Sequence, residues 1–394
     1  MRIPYTALLL VILLNGAVDY CIYRWLKKQS RGRIPANIQL WSAIVLLLGL
    51  LSLLVLPVQS TTDNVLRALM WVIFFYISIY VPKYIFVLFY GISLIPKLWH
   101  SPRIKGVTAT GGVLGIILFI TLWWGALINR YNITVNEVTV PVKAWPIGFD
   151  GFRIVQISDL HLGTYGTDTT FVHRLVERIN ALNPDIIVFT GDIVNRHTDE
   201  LIPFSKVLSH LNAPYGIYSI LGNHDYGDYY AWKDSSAYDL NNKKMEVIQK
   251  EMGWNLLKNE HRFITSQGDS LAIIGVENIG DPPFHVYGNL HAAYETPEDE
   301  YPKMLLTHNP AHWVDEVSDS NNNIALTMAG HTHAMQIELF GWSPAVFRYK
   351  TWGGLYHDKS ETHYLYVNTG TGTVGFPARI GAAPEITLLT LKSN

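Results

Sequence analysis

Hydrophobic and polar positions divide the chain into two parts with different patterns. Residues 1–128 contain four long apolar stretches, whereas short apolar runs alternate with amphipathic patterns in residues 129–394. Each long stretch approaches or exceeds the roughly 20 residues that a helix needs to cross a bilayer. Four such stretches favour membrane spans over buried helices of a soluble core. The spans are predicted at about residues 3–23, 40–58, 68–90 and 108–128.

Basic residues in the connecting loops predict how the spans are oriented. The second loop, residues 59–64, has no basic residue, whereas the first and third loops have eight together. These are Arg24, Lys27, Lys28, Arg31, Arg33, Lys97, Arg103 and Lys105. Because basic loops stay on the cytoplasmic side, we expect residues 130–394 on the extracytoplasmic side of the cytoplasmic membrane.

Two ionisable side chains, Asp19 and Lys83, fall inside predicted spans. They lie at similar depths, roughly 22–24 Å along helices that run in the same direction. A salt bridge between the first and third spans would lower the cost of burying them. The alternative is that each side chain extends separately toward the cytoplasmic face.

The pattern after residue 129 predicts a strand-rich domain. A linker strand is expected within residues 130–149, followed by a domain over residues 150–394. Further strands are predicted at 152–158, 185–190, 216–221, 271–276, 303–307, 324–328, 364–367 and 385–391, and helices at 170–182, 201–211 and 242–252. Strands alternate with helices early and dominate late, which indicates an α/β or α+β fold.

Composition and charge exclude several classes of protein. Of the 394 residues, 49% are hydrophobic and 16% are charged, against about a quarter charged in soluble chains. Residues 1–128 carry a net charge of +9 and residues 129–394 one of −11, and 14 of the 15 histidines lie in the second part. The single cysteine excludes a disulfide scaffold. The overall charge of −2 argues against nucleic-acid binding.

Polar motifs follow five of the predicted strands. They are Ser158-Asp159-Leu160-His161, Gly191-Asp192, Gly222-Asn223-His224-Asp225, Thr307-His308 and Gly330-His331-Thr332-His333. Each motif alone is common by chance. Together they supply carboxylate, imidazole and amide groups, which suit a pair of divalent cations.

The order of these motifs resembles the calcineurin-like metallophosphoesterase superfamily, and its membrane-anchored bacterial phosphoesterases look closest. The resemblance covers about residues 150–394. It implies a two-sheet β-sandwich flanked by helices, with a dinuclear site of Mn, Zn or Fe at the strand ends. One metal would be bound by Asp159, His161, Asp192 and His333, and the other by Asp192, Asn223, His308 and His331.

The resemblance also implies the chemistry of the site. A water activated between the two metals would attack the phosphorus atom, and His224 would face the phosphate and protonate the leaving oxygen. Arg196 and Arg379 are candidates for binding phosphate oxygens, with surface or structural roles as the alternative.

Two positions depart from the family pattern. Ala334-Met335 stands where close relatives usually have two glycines. Asn195 stands where the phosphatase branch often has an acid paired with the catalytic histidine. Asp225 would replace that acid if its side chain turned back toward His224.

The function expected from these features is that of a membrane-anchored, metal-dependent phosphoesterase. Its substrate would be a phosphodiester or pyrophosphate in an envelope lipid or glycolipid, and its partner the lipid bilayer. Some relatives hydrolyse UDP-diacylglucosamine, but a cytoplasmic nucleotide substrate conflicts with the predicted orientation. The alternative is a non-catalytic membrane sensor or scaffold that binds metal or phosphate. A transporter is poorly supported, because only two ionisable residues lie well inside the spans.

Overall fold

The computed structural model of the chain describes residues 5–29, 33–53, 58–142, 145–281, 285–295, 301–320 and 322–393. It contains two compact units, Met1–Trp124 and Gly125–Asn394.

The first unit is built from four long helices. They are α1 (Tyr5–Gln29), α2 (Ile34–Leu53), α3 (Asp63–Leu94) and α4 (Lys105–Leu127), and the last three residues of α4 belong to the second unit. All four are long and apolar enough to cross a membrane, as predicted. The predicted start of the second span at residue 40 was too late, because the helix begins at Ile34. Residues 1–4, 30–32 and 54–57, with parts of two predicted spans and Arg31, lie outside the described residues.

The salt bridge between the first and third spans is confirmed. Lys83 Nζ lies 2.8 Å from Asp19 Oδ1. Asp19 also accepts hydrogen bonds from Gln39 Nε2 and the Tyr80 hydroxyl, both at 2.7 Å. The two charges therefore neutralise each other inside the helix bundle, and the alternative of separate snorkelling is wrong.

The second unit contains two six-stranded mixed sheets. Its strands are β1 (Thr134–Val142), β2 (Arg153–Ile157), β3 (Ile186–Phe189), β4 (Ile217–Ser219), β5 (Asn255–Leu256), β6 (Glu260–Ser266), β7 (Asp269–Gly275), β8 (Lys303–Leu306), β9 (Ile324–Ala329), β10 (Gly354–His357), β11 (Tyr364–Val367) and β12 (Glu385–Ser393). The strand order is β1-β12-β2-β3-β4-β5 in one sheet and β10-β11-β9-β8-β7-β6 in the other.

Helices cover the outer face of the first sheet. They are α5 (Thr170–Asn180), α6 (Ile202–Leu208) and α7 (Ser235–Glu251), and a short helix, α8 (Leu290–Ala293), lies at the second sheet. Alternate residues of a strand point to opposite faces. Ile154 of β2 therefore packs between the sheets, whereas Val155 packs against the helices. Burial on both faces explains why the central strands read as continuous apolar runs, and the predicted sandwich flanked by helices is confirmed.

Several elements differ from the sequence prediction. The expected linker strand within residues 130–149 is an edge strand of the first sheet, because β1 pairs in parallel with β12 and buries Val140 and Val142 in the core. The helix predicted to begin at residue 242 begins at Ser235, because the Asp234 side chain accepts a hydrogen bond from Ala237 N and caps it. The short strands β5 and β10, the hairpin strand β6 and helix α8 were not predicted.

Candidate metal centre

The predicted ligands lie in loops that directly follow parallel strands. β2, β3 and β4 run parallel in the first sheet, and β8 and β9 run parallel in the second. Parallel strands end at the same edge of a sheet, so their loops meet there. Backbone hydrogen bonds join these loops, from Asp159 N to Gly191 O (2.9 Å) and from Gly330 N to His308 O (3.0 Å).

A first buried group combines two carboxylates with two imidazoles. It consists of Asp159, His161, Asp192 and His333. His161 Nε2 lies 3.0 Å from His333 Nε2 and 3.6 Å from Asp192 Oδ2. His333 Nε2 lies 3.1 Å from Asp159 Oδ1. These four donor atoms therefore face one small volume.

A second group shares Asp192 with the first. His308 Nε2 lies 3.2 Å from Asp192 Oδ2 and 3.2 Å from His331 Nδ1. Asn223, the other predicted ligand, lines a cleft together with His331. Its Nδ2 donates to the Tyr229 hydroxyl at 2.9 Å, whereas its buried Oδ1 has no hydrogen-bond partner among the described residues.

Hydrogen bonds outside the two groups fix which ring nitrogens face inward. His308 Nδ1 lies 2.7 Å from the Thr190 carbonyl oxygen and must donate to it, so Nε2 is the nitrogen that faces the site and would offer a lone pair to a cation. His308 Nε2 faces His331 Nδ1, while His331 Nε2 contacts the Tyr349 hydroxyl at 2.9 Å. Facing nitrogens and an orphaned amide oxygen are what a cation would bind, and the donor set of imidazole, carboxylate and amide suits divalent metals. The residues therefore fit a dinuclear site.

Charges inside the site keep the carboxylates ionised. Burial alone would raise the pKa of Asp192, but the His308 and His224 imidazoles hold it well below its usual range. Burial lowers the pKa of His308, but the Asp192 and Asp159 carboxylates outweigh it and raise that pKa to about 10. Burial and the neighbouring His308 lower the pKa of His331 to about 4. A neutral His331 has a lone pair to donate.

The backbone at the site is strained, and glycines allow its loops to approach each other. Five of the seven predicted ligands have φ in the left-handed region, namely Asp159 (54°), His161 (46°), Asp192 (60°), His331 (74°) and His333 (51°). Such residues cost about 1–3 kcal/mol each and cluster at functional sites. A Cβ on Gly222 would collide with Asp192 Oδ1, and one on Gly330 with Asp159 Oδ2.

His224 lies beside the first group and is partly exposed. Its ring packs edge-on against His161, with centroids 4.8 Å apart, and stacks on Tyr229 at 4.4 Å. Its Nδ1 lies 2.6 Å from the backbone carbonyl oxygen of Asn195, and its backbone N donates to Asp192 Oδ1 at 2.9 Å.

The two side chains proposed to assist His224 do not contact it. Asn195 Nδ2 donates to Thr164 Oγ1 at 3.2 Å, so only the backbone carbonyl of Asn195 reaches His224. The buried Asp225 carboxylate instead accepts hydrogen bonds from the backbone N–H groups of Asp192, Ile193, Val194 and Gly222. The idea that Asp225 turns back toward His224 was wrong, because four backbone donors hold the carboxylate on the loops after β3 and β4.

Both arginines that were candidates for binding phosphate oxygens, Arg196 and Arg379, are buried. Arg379 is fully buried, and its guanidinium donates to the carbonyl oxygens of Thr369, Gly372 and Ala382 at 2.7–3.1 Å. Those contacts hold the loop before β12 against His333, so the expected phosphate-binding role of Arg379 is not supported. Arg196 is also buried, with its guanidinium 5.4 Å from the centre of the Tyr230 ring.

Three residues at the site were missed by the sequence analysis. Tyr229, Tyr349 and Asp281 line a cleft of about 170 Å³ together with Asn223 and His331. Tyr229 follows the third motif closely, and its position in the aromatic run 226–232 was a usable signal. Tyr349 and Asp281 stand outside every motif, and only the fold brings them to the metal centre.

Comparison with known proteins gives matches to both parts of the chain. The family model described as calcineurin-like phosphoesterase matches residues 152–335, and one described as a probable calcineurin-like phosphoesterase transmembrane domain matches residues 1–130. The metallophosphoesterase YkuE of Bacillus subtilis is 32% identical over 68% of this chain and 88% of its own length. A transmembrane protein with metallophosphoesterase domain from Danio rerio is 28% identical over 99% of this chain and 90% of its own length. The UDP-2,3-diacylglucosamine pyrophosphatase LpxG of Chlamydia trachomatis is 27% identical over 61% of this chain and 83% of its own length.

Proposed function

The chain belongs to the calcineurin-like phosphoesterase family, and from this premise we propose that it hydrolyses a phosphodiester or pyrophosphate in an envelope lipid or glycolipid. It is a membrane protein and a metal-dependent phosphoric ester hydrolase. The observation that carries the proposal is the pair of buried ligand groups that share Asp192.

Each group would hold one divalent cation, Mn, Zn or Fe. Asp159, His161, Asp192 and His333 would hold the first, and Asp192, Asn223, His308 and His331 the second. Bound cations supply the positive charge that activates water and neutralises phosphoryl oxygens. Asp192 Oδ2 lies 3.6 Å from His161 Nε2 in the first group and 3.2 Å from His308 Nε2 in the second, which supports a shared role for this carboxylate.

His224 would move the proton that the leaving oxygen needs. Because the Asn195 carbonyl only accepts, the proton on Nδ1 stays in that hydrogen bond. Nε2 is then the atom that gains and gives up a proton. Stacking on Tyr229 and contact with His161 hold the ring in this orientation.

Two points support the proposed substrate class, namely the predicted side of the membrane and the name of one relative. LpxG is named as a pyrophosphatase of a diacylated sugar nucleotide, which supports a lipid-linked phosphoester here. The basic first and third loops support an extracytoplasmic catalytic domain. A substrate accessible from that side, such as an envelope lipid, fits both points better than a cytoplasmic nucleotide.

Metal analysis and turnover by the purified full-length protein test the proposed site. With Mn²⁺, the protein is expected to hydrolyse bis-p-nitrophenyl phosphate. Asp192→Asn is expected to weaken both metals, and His308→Ala mainly the second. Two tightly held metals in Asp192→Asn would refute the ligand assignment. Bound metal without any turnover would favour a non-catalytic sensor or scaffold.

Reporter fusions test the orientation separately. An enzyme that works only outside the cytoplasm is expected to be active when fused after Asn394. Activity of a cytoplasm-only reporter at the same position would overturn the loop-charge argument and make cytoplasmic nucleotides the better substrate class.

A further inference from the structure

An exposed apolar surface lies directly after the last ligand motif. We define the apolar tip as Leu339, Phe340, Trp342, Val346 and Phe347. Phe340 is fully exposed, Phe347 is 84% exposed, and the other three side chains are 41–48% exposed. Contiguous apolar surface of this kind marks an interaction site more often than chance exposure.

The apolar tip has a defined conformation. Leu339 and Trp342 exchange backbone hydrogen bonds at 2.8 and 3.1 Å across a tight turn. Phe340 (φ 53°) and Gly341 (φ 77°) form that turn, and left-handed φ at both central residues is typical of a two-residue hairpin. Ser343 Oγ donates to the Ala334 carbonyl, which ties the tip to the loop of the last motif. The protein thus presents large, exposed apolar side chains at the end of a fixed hairpin.

Contacts within the second unit place the tip near the end of a membrane-spanning helix. Glu338 N, just before the tip, donates to Ile380 O at 2.8 Å. The neighbouring Arg379 N donates to Gly125 O in the last turn of α4 at 3.2 Å, and Asn129 Nδ2 donates to Arg379 O at 3.0 Å. Leu127 and Ile128, which follow Gly125, are also exposed apolar residues. The last turn of a spanning helix lies at the bilayer interface, so the tip is tied to that level.

We propose that the apolar tip inserts into the lipid bilayer at the level of the last three residues of α4, 125–127, and holds the metal centre at the level of the lipid headgroups. Tryptophan and phenylalanine are suited to the interface between headgroups and acyl chains. The adjacent Lys350 is an exposed cation that favours anionic headgroups, whereas the exposed Arg348 guanidinium is paired with Asp281 at 2.8 Å.

Insertion of the apolar tip would fix the position of the metal centre, because residues on both sides of the tip belong to that centre. His331 and His333 precede the tip, and Tyr349 follows it and contacts His331 Nε2 at 2.9 Å. The cleft lined by Asn223, Tyr349 and Arg348 is therefore framed by the docked segment. If the tip inserts, we expect preferential hydrolysis of lipid headgroup phosphoesters. That expectation rests on the proposed function, whereas the insertion itself does not.

Spin labels on the full-length protein test the insertion. Cys21, the sole cysteine, is replaced by alanine. The protein then carries a label at Phe340→Cys or, as a matched control, at Lys359→Cys in the exposed polar turn between β10 and β11. The protein is reconstituted in vesicles of phosphatidylcholine and phosphatidylglycerol. A label at position 340 is expected to be relaxed by oxygen, which dissolves in the bilayer, and to be shielded from a water-soluble nickel chelate. A label at position 359 is expected to be relaxed by the nickel chelate more than by oxygen.

Two outcomes of that measurement overturn the proposal. Equal accessibility of both labels to the nickel chelate means that the tip stays in water. Shielding of the label at 340 from both reagents means that protein, such as a second copy of the chain, covers the tip.

A second measurement separates docking from the proposed substrate. Phe340→Ser/Phe347→Ser is expected to leave turnover of soluble bis-p-nitrophenyl phosphate unchanged and to lower phosphoester turnover in vesicles by about tenfold, because apolar burial is lost. Equal loss on both substrates would contradict a docking role. Insertion of the 340 label without any turnover of lipid would retain the docking surface and refute only the lipid substrate.

Discussion

His224 Nδ1 lies 2.6 Å from the backbone carbonyl oxygen of Asn195, and no carboxylate contacts this imidazole among the described residues. The tautomer of His224 is therefore set by the main chain of the loop after β3. That loop also carries Asp192, so one segment positions both the proposed shared ligand and the proposed proton donor.

Replacing His224 is expected to slow catalysis without emptying the metal site. His224→Ala is predicted to lower turnover by about 10²–10⁴-fold, the usual contribution of general acid–base catalysis. The loss should be smaller for p-nitrophenyl esters, because that leaving group needs little protonation. Asn195→Ala is the matched control, since it keeps the backbone carbonyl and removes only the contact with Thr164. An equal loss in Asn195→Ala would show that the Asn195 side chain matters after all.

Asp225 is predicted to stabilise the metal-binding loops rather than to take part in proton transfer. An amide in its place has one acceptor oxygen and turns its NH₂ toward backbone N–H groups. Asp225→Asn should therefore lower the free energy of unfolding by about 1–3 kcal/mol or more and weaken metal binding. Thermal unfolding in detergent with and without Mn²⁺ measures both effects. Unchanged stability with a loss of turnover alone would return Asp225 to a catalytic role.

The Asp19–Lys83 ion pair is predicted to matter for folding in the membrane. Removing one partner of a buried pair costs about 3–5 kcal/mol, because the other charge is left uncompensated. Asp19→Lys and Lys83→Asp should each lower the yield of folded protein, and the double swap should recover much of it. Tyr80→Phe, which removes one neutral hydrogen bond to Asp19, should have a smaller effect. Failure of the swap to recover any yield would show that the pair does not contribute as a pair.

Met335 tests the cost of a left-handed backbone at a residue other than glycine. Ala334 and Met335 have φ of 50° and 47°, a conformation that costs a non-glycine residue about 1–2 kcal/mol. Met335→Gly removes that cost, partly offset by about 0.5–1 kcal/mol of added chain entropy, so its stability should equal or exceed that of the parent chain. Met335→Val should be less stable, since a branched side chain fits this region poorly. If Met335→Gly were less stable than Met335→Val, the left-handed backbone conformation at residue 335 would be contradicted.

Local patterns in the sequence predicted most of the elements and the place of the chemistry. Uniform apolar stretches indicated four spans, because length and composition alone decide whether a helix can cross a bilayer. Short apolar runs indicated the central strands, and the polar motifs after them indicated the ligand groups, since parallel strands end at one edge. The strand β5 escaped prediction because two residues carry too little pattern, and β10 because its residues alternate between half-buried and exposed positions and form no apolar run.

The directions of individual side chains were decided only by the tertiary structure. The sequence singles out Asn195, Asp225 and Arg379 as candidate site residues. It cannot show that a carbonyl holds His224, that four N–H groups hold one carboxylate, or that three carbonyls hold a guanidinium. The Asn195 carbonyl lies 29 residues from His224 along the chain, whereas the carbonyls around Arg379 lie 3–10 residues away, and in both cases the path of the loops selects the partner. The exposure of the apolar tip is likewise decided by the tertiary structure. Whether an apolar run such as 339–347 is buried or exposed is settled by what packs over it, and nothing in its own sequence records that.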